Sequence, residues 1–241
     1  MNVLVVDVGG TNVKILATGQ TESRRFPSGP TMTPRQMVSG VKKFAGDWPY
    51  DVVSLGYPGL VLGGRIAAEP HNLAPGWIKC DFKAAFGRPV KILNDAAMQA
   101  LGSYKGGELL FLGLGTGLGS ALVVDGVLVP MELAHLSYKN WTFEDYLGVR
   151  GLRRLGKKKW QHHVEYGVER LIAAFHPDDV VLGGGNAKRL QELPPGCRAG
   201  DNANAFLGGF RLWEEAWSRS SAVHTKERHP SRRPLKTTKR A

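Results

Sequence analysis

The sequence predicts an α/β protein of two similar lobes, each opened by a strand, a glycine-rich turn and a second strand. Three observations carry that expectation. Residues 3–8 (VLVVDV) form a continuous, mostly β-branched run, the pattern of a strand buried on both faces, and pass through Gly9-Gly10-Thr11 into Val13-Lys14-Ile15-Leu16. Residues 108–112 repeat the plan, running through the glycine-rich stretch 113–119 into a strand over 120–124. Between the two, Ile92-Leu93-Asn94-Asp95 reads as the end of a buried strand that hands one carboxylate to the start of a helix.

At 241 residues the chain can bury a sizeable core as one large domain or two small ones. No apolar run approaches the roughly 20 residues of a membrane span. The first strand follows Met1-Asn2 without the basic stretch of a secretory signal. Cys80 and Cys197 are the only cysteines, too few for a disulfide framework or a cysteine-rich zinc site, so a reducing cytoplasm is the expected location. The net charge of +11 is uneven: residues 218–241 hold eight Lys/Arg against Glu227, a net +7. Rich in Ser, Thr and Pro, this segment reads as a disordered tail. It would serve as a solvated, solubilising end or be drawn to a polyanion, and charge alone does not choose.

In chain order, Thr33-Pro34 opens a helix with an N-cap and a proline at the first helical position, and Met37, Val41 and Phe44 form its buried face. Residues 51–56 are a core strand leading through Tyr57-Pro58-Gly59 to a short hairpin over 61–66. A loop with His71-Asn72-Leu73 and Gly76-Trp77 precedes a short helix (Phe82, Ala85, Phe86) that stops at Gly87. Pro89–Leu93 is another core strand, and Asn94-Asp95 cap the helix 96–104.

In the second half, Asp125-Gly126 is a two-residue hairpin signal leading to 127–129. Glu132-Leu133-Ala134-His135 falls in an exposed connection, suited to sugar hydroxyls or to a simple ion pair. A helix is expected over 142–155, with Glu144 near its start. A longer one from Gly156 has Trp160, Val164, Val168, Leu171, Ile172 and Phe175 as its core stripe. The adjacent His162 and His163 point in different directions on that helix and read as structural. Residues 179–182 are a buried strand meeting Gly183-Gly184-Gly185. A helix from Asn186 to about Leu193 would turn its first N–H groups toward an anion, and a last helix spans 203–217, packing back on the first half.

The chemistry legible at this point is a carboxylate among glycine turns whose N–H groups are open to phosphate. Asp7 would face the same place and hold Mg²⁺ through water, although the same residues suit an ordinary tight turn with a solvated aspartate. The glycine spacing at 113–119, followed by a strand, does not fit a dinucleotide fingerprint, and no Walker-type loop occurs. A general base beside phosphate cradles points to phosphoryl transfer.

With these residues placed, the chain resembles the ROK family of sugar kinases, within the actin/Hsp70/hexokinase superfamily, over about residues 3–215. The resemblance rests on six motifs in the family's order: Asp7-Val8-Gly9-Gly10-Thr11; Tyr57-Pro58-Gly59; Asn72-Leu73 with Gly76-Trp77; Gly87-Arg88-Pro89-Val90 through Asn94-Asp95-Ala96; Gly115-Thr116-Gly117; and Gly183-Gly184-Gly185. It implies a two-lobed, actin-like (ribonuclease H-like) α/β fold with a duplicated mixed-sheet domain and a cleft between lobes. The N-terminal lobe would span 1–106, the C-terminal lobe 107–217 and the basic tail 218–241.

It further implies Asp95 as the base for a hexose hydroxyl, typically the 6-OH of glucose, with Asn72, Asn94, Glu132, His135 and Glu144 on the other hydroxyls. Gly9, Gly10, Thr11, Lys14, Gly115, Thr116 and Gly117 would hold phosphate, Gly183, Gly184 and Gly185 the nucleotide, and Asp7 the Mg²⁺. A homodimer is expected by the same analogy. Two departures stand out: Ala134 replaces a glycine in the family's Glu-x-Gly-His, and residues 136–143 lack the cysteines of its zinc motif. No zinc is therefore expected, and His135 becomes a sugar contact. The missing zinc motif, the compact length and Lys14 resemble the polyphosphate glucokinase branch, so the donor is ATP, polyphosphate or both.

Two other readings compete. A sugar-responsive regulatory or binding protein of the same family would carry an N-terminal helix-turn-helix, whereas the first strand here begins at Val3. Nothing in the tail resembles a DNA-reading helix, so no specific nucleic-acid partner is expected. An ATPase or acyl-phosphate enzyme of the superfamily would have no use for Glu132, His135 and Glu144.

Overall fold

The computed structural model describes residues 1–201 and 203–214. Its first half is a five-stranded sheet with helices around it: β1 (Val3–Val8), β2 (Asn12–Ala17), β3 (Arg24–Pro27), α1 (Pro34–Ala45), β4 (Val52–Tyr57), the small β5 (Val61–Leu62) and β6 (Arg65–Ile66) hairpin, α2 (Phe82–Phe86), β7 (Val90–Asn94) and α3 (Asp95–Ser103). The sheet order is β3-β2-β1-β4-β7, antiparallel across β3, β2 and β1 and parallel from β1 through β4 to β7. Thr33 caps α1 in a reciprocal pair with Gln36, a device that contributes about 1 kcal/mol. Gly87 ends α2 in the left-handed conformation. The sheet and α1 enclose Leu4, Val6, Ile15, Met37, Val41 and Leu55, with Tyr57 and Trp77 fully buried beside them.

The second half repeats the plan: β8 (Glu108–Leu114), β9 (Leu118–Val124), β10 (Val127–Pro130), β11 (Ser137–Tyr138), β12 (Trp141–Thr142), α4 (Phe143–Leu147), α5 (Val149–Phe175), β13 (Asp179–Gly183), β14 (Cys197–Ala199) and α6 (Asn204–Arg211). Its sheet order is β10-β9-β8-β13-β14, with the same sequence of two antiparallel and two parallel pairings. Asp125 and Gly126 both take positive φ (48° and 78°), the tight turn that matches the twist of paired strands. No helix among the described residues is long and apolar enough to cross a membrane.

Two helices join the halves. Helix α3 is wedged between the sheets: Ala96, Ala97 and Ala100 pack on Leu109, Phe111, Ala121, Val123 and Val181 of the second sheet, while Met98 joins Val3, Val5 and Val52 of the first. Helix α6 returns to the first half, as expected. Ser54 Oγ donates to Gly209 O at 2.6 Å, and α6 meets α3 so closely that a methyl group on Gly208 would run into the Met98 carbonyl.

Several expectations need correction. Strand β7 is an edge strand, half-buried along its whole length rather than a core strand, because among the described residues β4 is the one strand that pairs with it. Lys91 on it donates to Leu212 O at 2.8 Å and lies 4.5 Å above the Trp213 ring. The helix expected over 142–155 breaks at Gly148, where the extended backbone lets Val149 donate into the β8–β9 turn; Gly156 (φ 75°) then kinks α5. Ile172 and Phe175 are only half-buried on the core stripe. The helix expected from Asn186 shrinks to a single 3₁₀ turn, Ala187–Arg189. Asn186 does not cap it, Pro194-Pro195 follow, and the chain must return to pair β14 with β13. The N–H array expected there does not form. The last helix covers Asn204–Arg211 rather than 203–217; residues 215–217 and the basic tail over 218–241 lie outside the described residues.

Candidate active site

Asn94 ends β7 and caps α3: its Oδ1 accepts from the N–H of Ala96 (2.9 Å) and Ala97 (3.3 Å), while its Nδ2 donates to Gly59 O at 2.9 Å. That cap fixes the first helical residue, Asp95, whose Oδ1 accepts from Ala96 N–H at 2.8 Å. A helix N-terminus favours a negative charge. Burial nevertheless pushes the Asp95 carboxyl up to about 7, with Asp7 adding to the rise, the Ala96 and Asp95 N–H groups opposing it, and Glu132 adding a further push. Asp7 comes from the first half and Glu132 from the connection after β10, so carboxylates of both halves converge on α3. Asp7 is itself raised by burial and restrained by Lys14, its cross-strand partner, whose Nζ lies 3.7 Å from Asp7 Oδ2.

Both glycine turns sit at this end of their sheets. In the first, Gly9 N–H closes the turn on Asn12 O at 3.0 Å, and Ser28 Oγ donates to Gly9 O at 2.6 Å. In the second, Gly115 N–H closes on Gly117 O at 3.1 Å. Strand β9, leaving the second turn, reaches α3: a methyl on Gly119 would lie 2.9 Å from Ala96 Cβ, in the residue after Asp95. The triglycine packs behind it, since a methyl on Gly184 would come within 2.6 Å of Leu114 O.

Of the residues assigned to hydroxyl binding, Asn72 and Glu144 each lie against a glycine turn and Glu132 is near enough to Asp95 to raise its carboxyl, while His135 is placed only by its position on the same connection as Glu132. Exposed Asn72 lies against Gly10 of the first turn, where a methyl would be 3.2 Å from its Cβ. Glu132 and His135 are exposed on either side of buried Leu133 and Ala134, and Glu144 N–H donates to Ala134 O at 3.0 Å. Ala134 therefore fits a turn docked on α4. Glu144 presses on the second glycine turn, so a methyl at Gly117 would collide with its carboxylate. His163 is buried and bonded to Tyr138 OH at 2.8 Å, a structural role as expected, while His162 is exposed.

Sequence reasoning passed over three groups. Glu69 accepts from the N–H of Gly76 (3.0 Å), Trp77 (2.9 Å) and Ile78 (3.3 Å) and so shapes the loop that carries Asn72. The acid before Pro70 and the Gly-Trp turn after it were the available signal. Asn186, read as a helix cap, reaches the second glycine turn instead, and Val149 N–H does the same from the start of α5.

Among the described residues no three His, Cys, Asp or Glu side chains converge as a metal cage. A single carboxylate with waters is how Mg²⁺ is commonly held, and Asp7, paired with Lys14 and close enough to Asp95 to raise its carboxyl, has the chemistry for it.

Polyphosphate glucokinase of Mycobacterium tuberculosis (strain CDC 1551 / Oshkosh) is 27% identical over 215 residues, covering 79% of this chain and 80% of the relative. Among solved structures, the inorganic polyphosphate/ATP-glucomannokinase of Arthrobacter sp. strain KM superposes with a TM-score of 0.74 at 24% identity, over 92% of this chain and 99% of that one. A ROK family glucokinase from Streptomyces griseus, solved with glucose and AMPPNP, gives a TM-score of 0.73 at 16% identity, over 88% and 99%. The fold is thus the two-lobed, actin-like α/β fold of ROK sugar kinases. The model of the ROK family matches residues 3–130, more than half of the sequence, and the chain belongs to that family.

Proposed function

We propose that the protein is a hexose kinase that moves a phosphoryl group from ATP or inorganic polyphosphate to a sugar hydroxyl, first of all the 6-OH of glucose. The observation that carries this reading is Asp95: a carboxylate fixed at the start of a helix wedged between two sheets, raised to about 7, with a glycine turn beside its helix. The sugar kinases among its relatives support it.

In this reading Asp95 takes the proton as the hydroxyl oxygen bonds to phosphorus and the bond to the donor's bridging oxygen breaks. A carboxyl raised to about 7 is a stronger base than an ordinary aspartate and is still about half ionised near neutrality. Asn72, Glu132, His135 and Glu144 orient the sugar. Asn94 offers it at most its second amide hydrogen, since the rest of that side chain is spent on the cap and on Gly59. Lys14 and the open N–H groups of both glycine turns receive the phosphates. Asp7 would hold Mg²⁺ through water, the ion neutralising the donor's phosphate charge. On this reading the lobes share the work: 1–106 would supply the base and the charged turn, and 107 onward the second turn, the triglycine and the outer hydroxyl contacts. The assembly expected is a homodimer.

The test is a coupled assay of purified protein with glucose, mannose, fructose and N-acetyl sugars, each with ATP and with polyphosphate, with and without Mg²⁺. Phosphorylation of a hexose supports the reading, and the pattern assigns sugar and donor. If neither donor phosphorylates any of them, the sugar-binding regulator takes its place.

A further inference from the structure

In the second glycine turn every carbonyl is spoken for. Leu114 O accepts from Asn186 N–H at 2.8 Å. Gly115 O accepts from the Asn186 side-chain amide at 2.8 Å and from Val149 N–H at 3.1 Å. Thr116 O accepts from Val149 N–H at 3.3 Å, and Gly117 O from Gly115 N–H. The donors outside the turn come from two separate places, the residue after the triglycine and the first residue of α5. Gly148 and Gly184 bring those backbones close: a methyl on Gly148 would stand 2.9 Å from Thr116 O, and one on Gly184 2.6 Å from Leu114 O.

A peptide group whose oxygen is bonded to the protein cannot turn that oxygen toward a bound anion without breaking the bond. The same restraint sets the direction of the N–H on the other side of the peptide plane. We infer that Asn186 is a positioning residue for the phosphoryl donor: with Val149 N–H, it pins the carbonyls of residues 114–116 toward the protein and keeps the turn's open N–H groups directed at the donor. This rests on the phosphotransferase reading of the site, and it gives Gly184 a reason besides nucleotide contact, since only a glycine lets the Asn186 backbone come in behind the turn.

Asn186→Ala removes the side-chain donor, and Asn186→Asp puts a carboxylate against the Gly115 carbonyl. Val149→Pro removes the second donor and also sets the ring's Cδ against Gly115 O and Thr116 O, so it displaces the turn instead of merely freeing it. Binding of inorganic tripolyphosphate and of MgADP is measured by calorimetry, which needs no turnover, alongside KM for donor and for sugar and the melting temperature. The expected result is donor affinity weakened roughly tenfold in Asn186→Ala, the cost of one hydrogen bond, and more in Asn186→Asp and in Val149→Pro. In Asn186→Ala, sugar KM and melting temperature should hardly move. Equal weakening of sugar and donor together with a lowered melting temperature, unchanged donor binding in all three variants, or no binding of either probe by the wild type would each overturn the inference. A wild type that binds the probes but phosphorylates no sugar would sink the proposed function alone.

Discussion

The two sheets follow one course, yet matched positions carry opposite chemistry. In the first, Asp7 pairs with Lys14 on β2 and Gly56 on β4; in the second, the corresponding Gly113 pairs with Gly119 on β9 and Gly183 on β13. Two residues further on, Gly9 and Gly115 each close their turn through their own N–H. One half therefore brings charged side chains to the cleft and the other brings bare backbone, close enough to touch the helix that carries Asp95. A transferring phosphoryl needs both, a place for its charge and a fixed set of donors, and duplication of a fold lets the two tasks diverge at equivalent positions.

The sharpest way to break that comparison is Asp95→Asn, which leaves both turns intact and removes the carboxylate proposed as the base. Phosphoryl transfer should fall about 10²–10⁴-fold while sugar affinity, followed by tryptophan fluorescence or calorimetry, persists. The same variant checks the electrostatics. With a folded pKa of about 7 above the ordinary 3.8, the carboxyl's contribution to stability is complete below 3.8 and is lost as pH rises through about 7. The substituted amide cannot ionise, so the variant should be more stable than the wild type at pH 8, and the gap should narrow as pH falls below about 7 and close only near 3.8 in thermal melts.

Next come the turns themselves. Gly117→Ala drives a methyl into the Glu144 carboxylate and should lower kcat/KM roughly 10²-fold, the scale of a misplaced contact. Gly10→Ala meets exposed Asn72 at 3.2 Å, which can give way, so the loss should be only a few-fold. Equal effects from steady-state kinetics would mean that the two turns are not specialised as described.

Gly208→Ala tests how α6 ties the halves. Alanine ordinarily stabilises a helix interior, but here the methyl faces the Met98 carbonyl, and a loss of about 1–3 kcal/mol is expected in denaturant titration. The smallest effect is on the pH profile. Because Asp7 helps to raise Asp95, Asp7→Asn should shift the acidic limb of the residual rate below its wild-type position near 7.

The parts of this fold readable in one dimension are those set by neighbours in sequence. The run over residues 3–8, the Thr33-Pro34 cap, Gly87 and Asp125-Gly126 each encode a local geometry, and all four formed where expected. The short strands β3, β11, β12 and β14 carry no comparable signal and are defined by the partners they find. Helix 186–193 failed for a related reason: a cap-like asparagine followed by helix formers looks like a helix until a carbonyl 71 residues away competes for its amide. Glu69 went unnoticed because its three partners sit seven to nine residues away in a loop without periodicity.

By itself, then, the sequence determined the repeated strand–glycine–strand plan, the acid at the head of α3 and the family, since hydrophobic periodicity, turn residues and motif spacing are local properties. Tertiary structure alone decided that β7 lies at an edge, that α3 is held between two sheets, and that Asn186 and Val149 restrain the second turn. The pKa of Asp95 belongs with these, because burial and the charges of Asp7 and Glu132 depend on distances through space that sequence separation does not set.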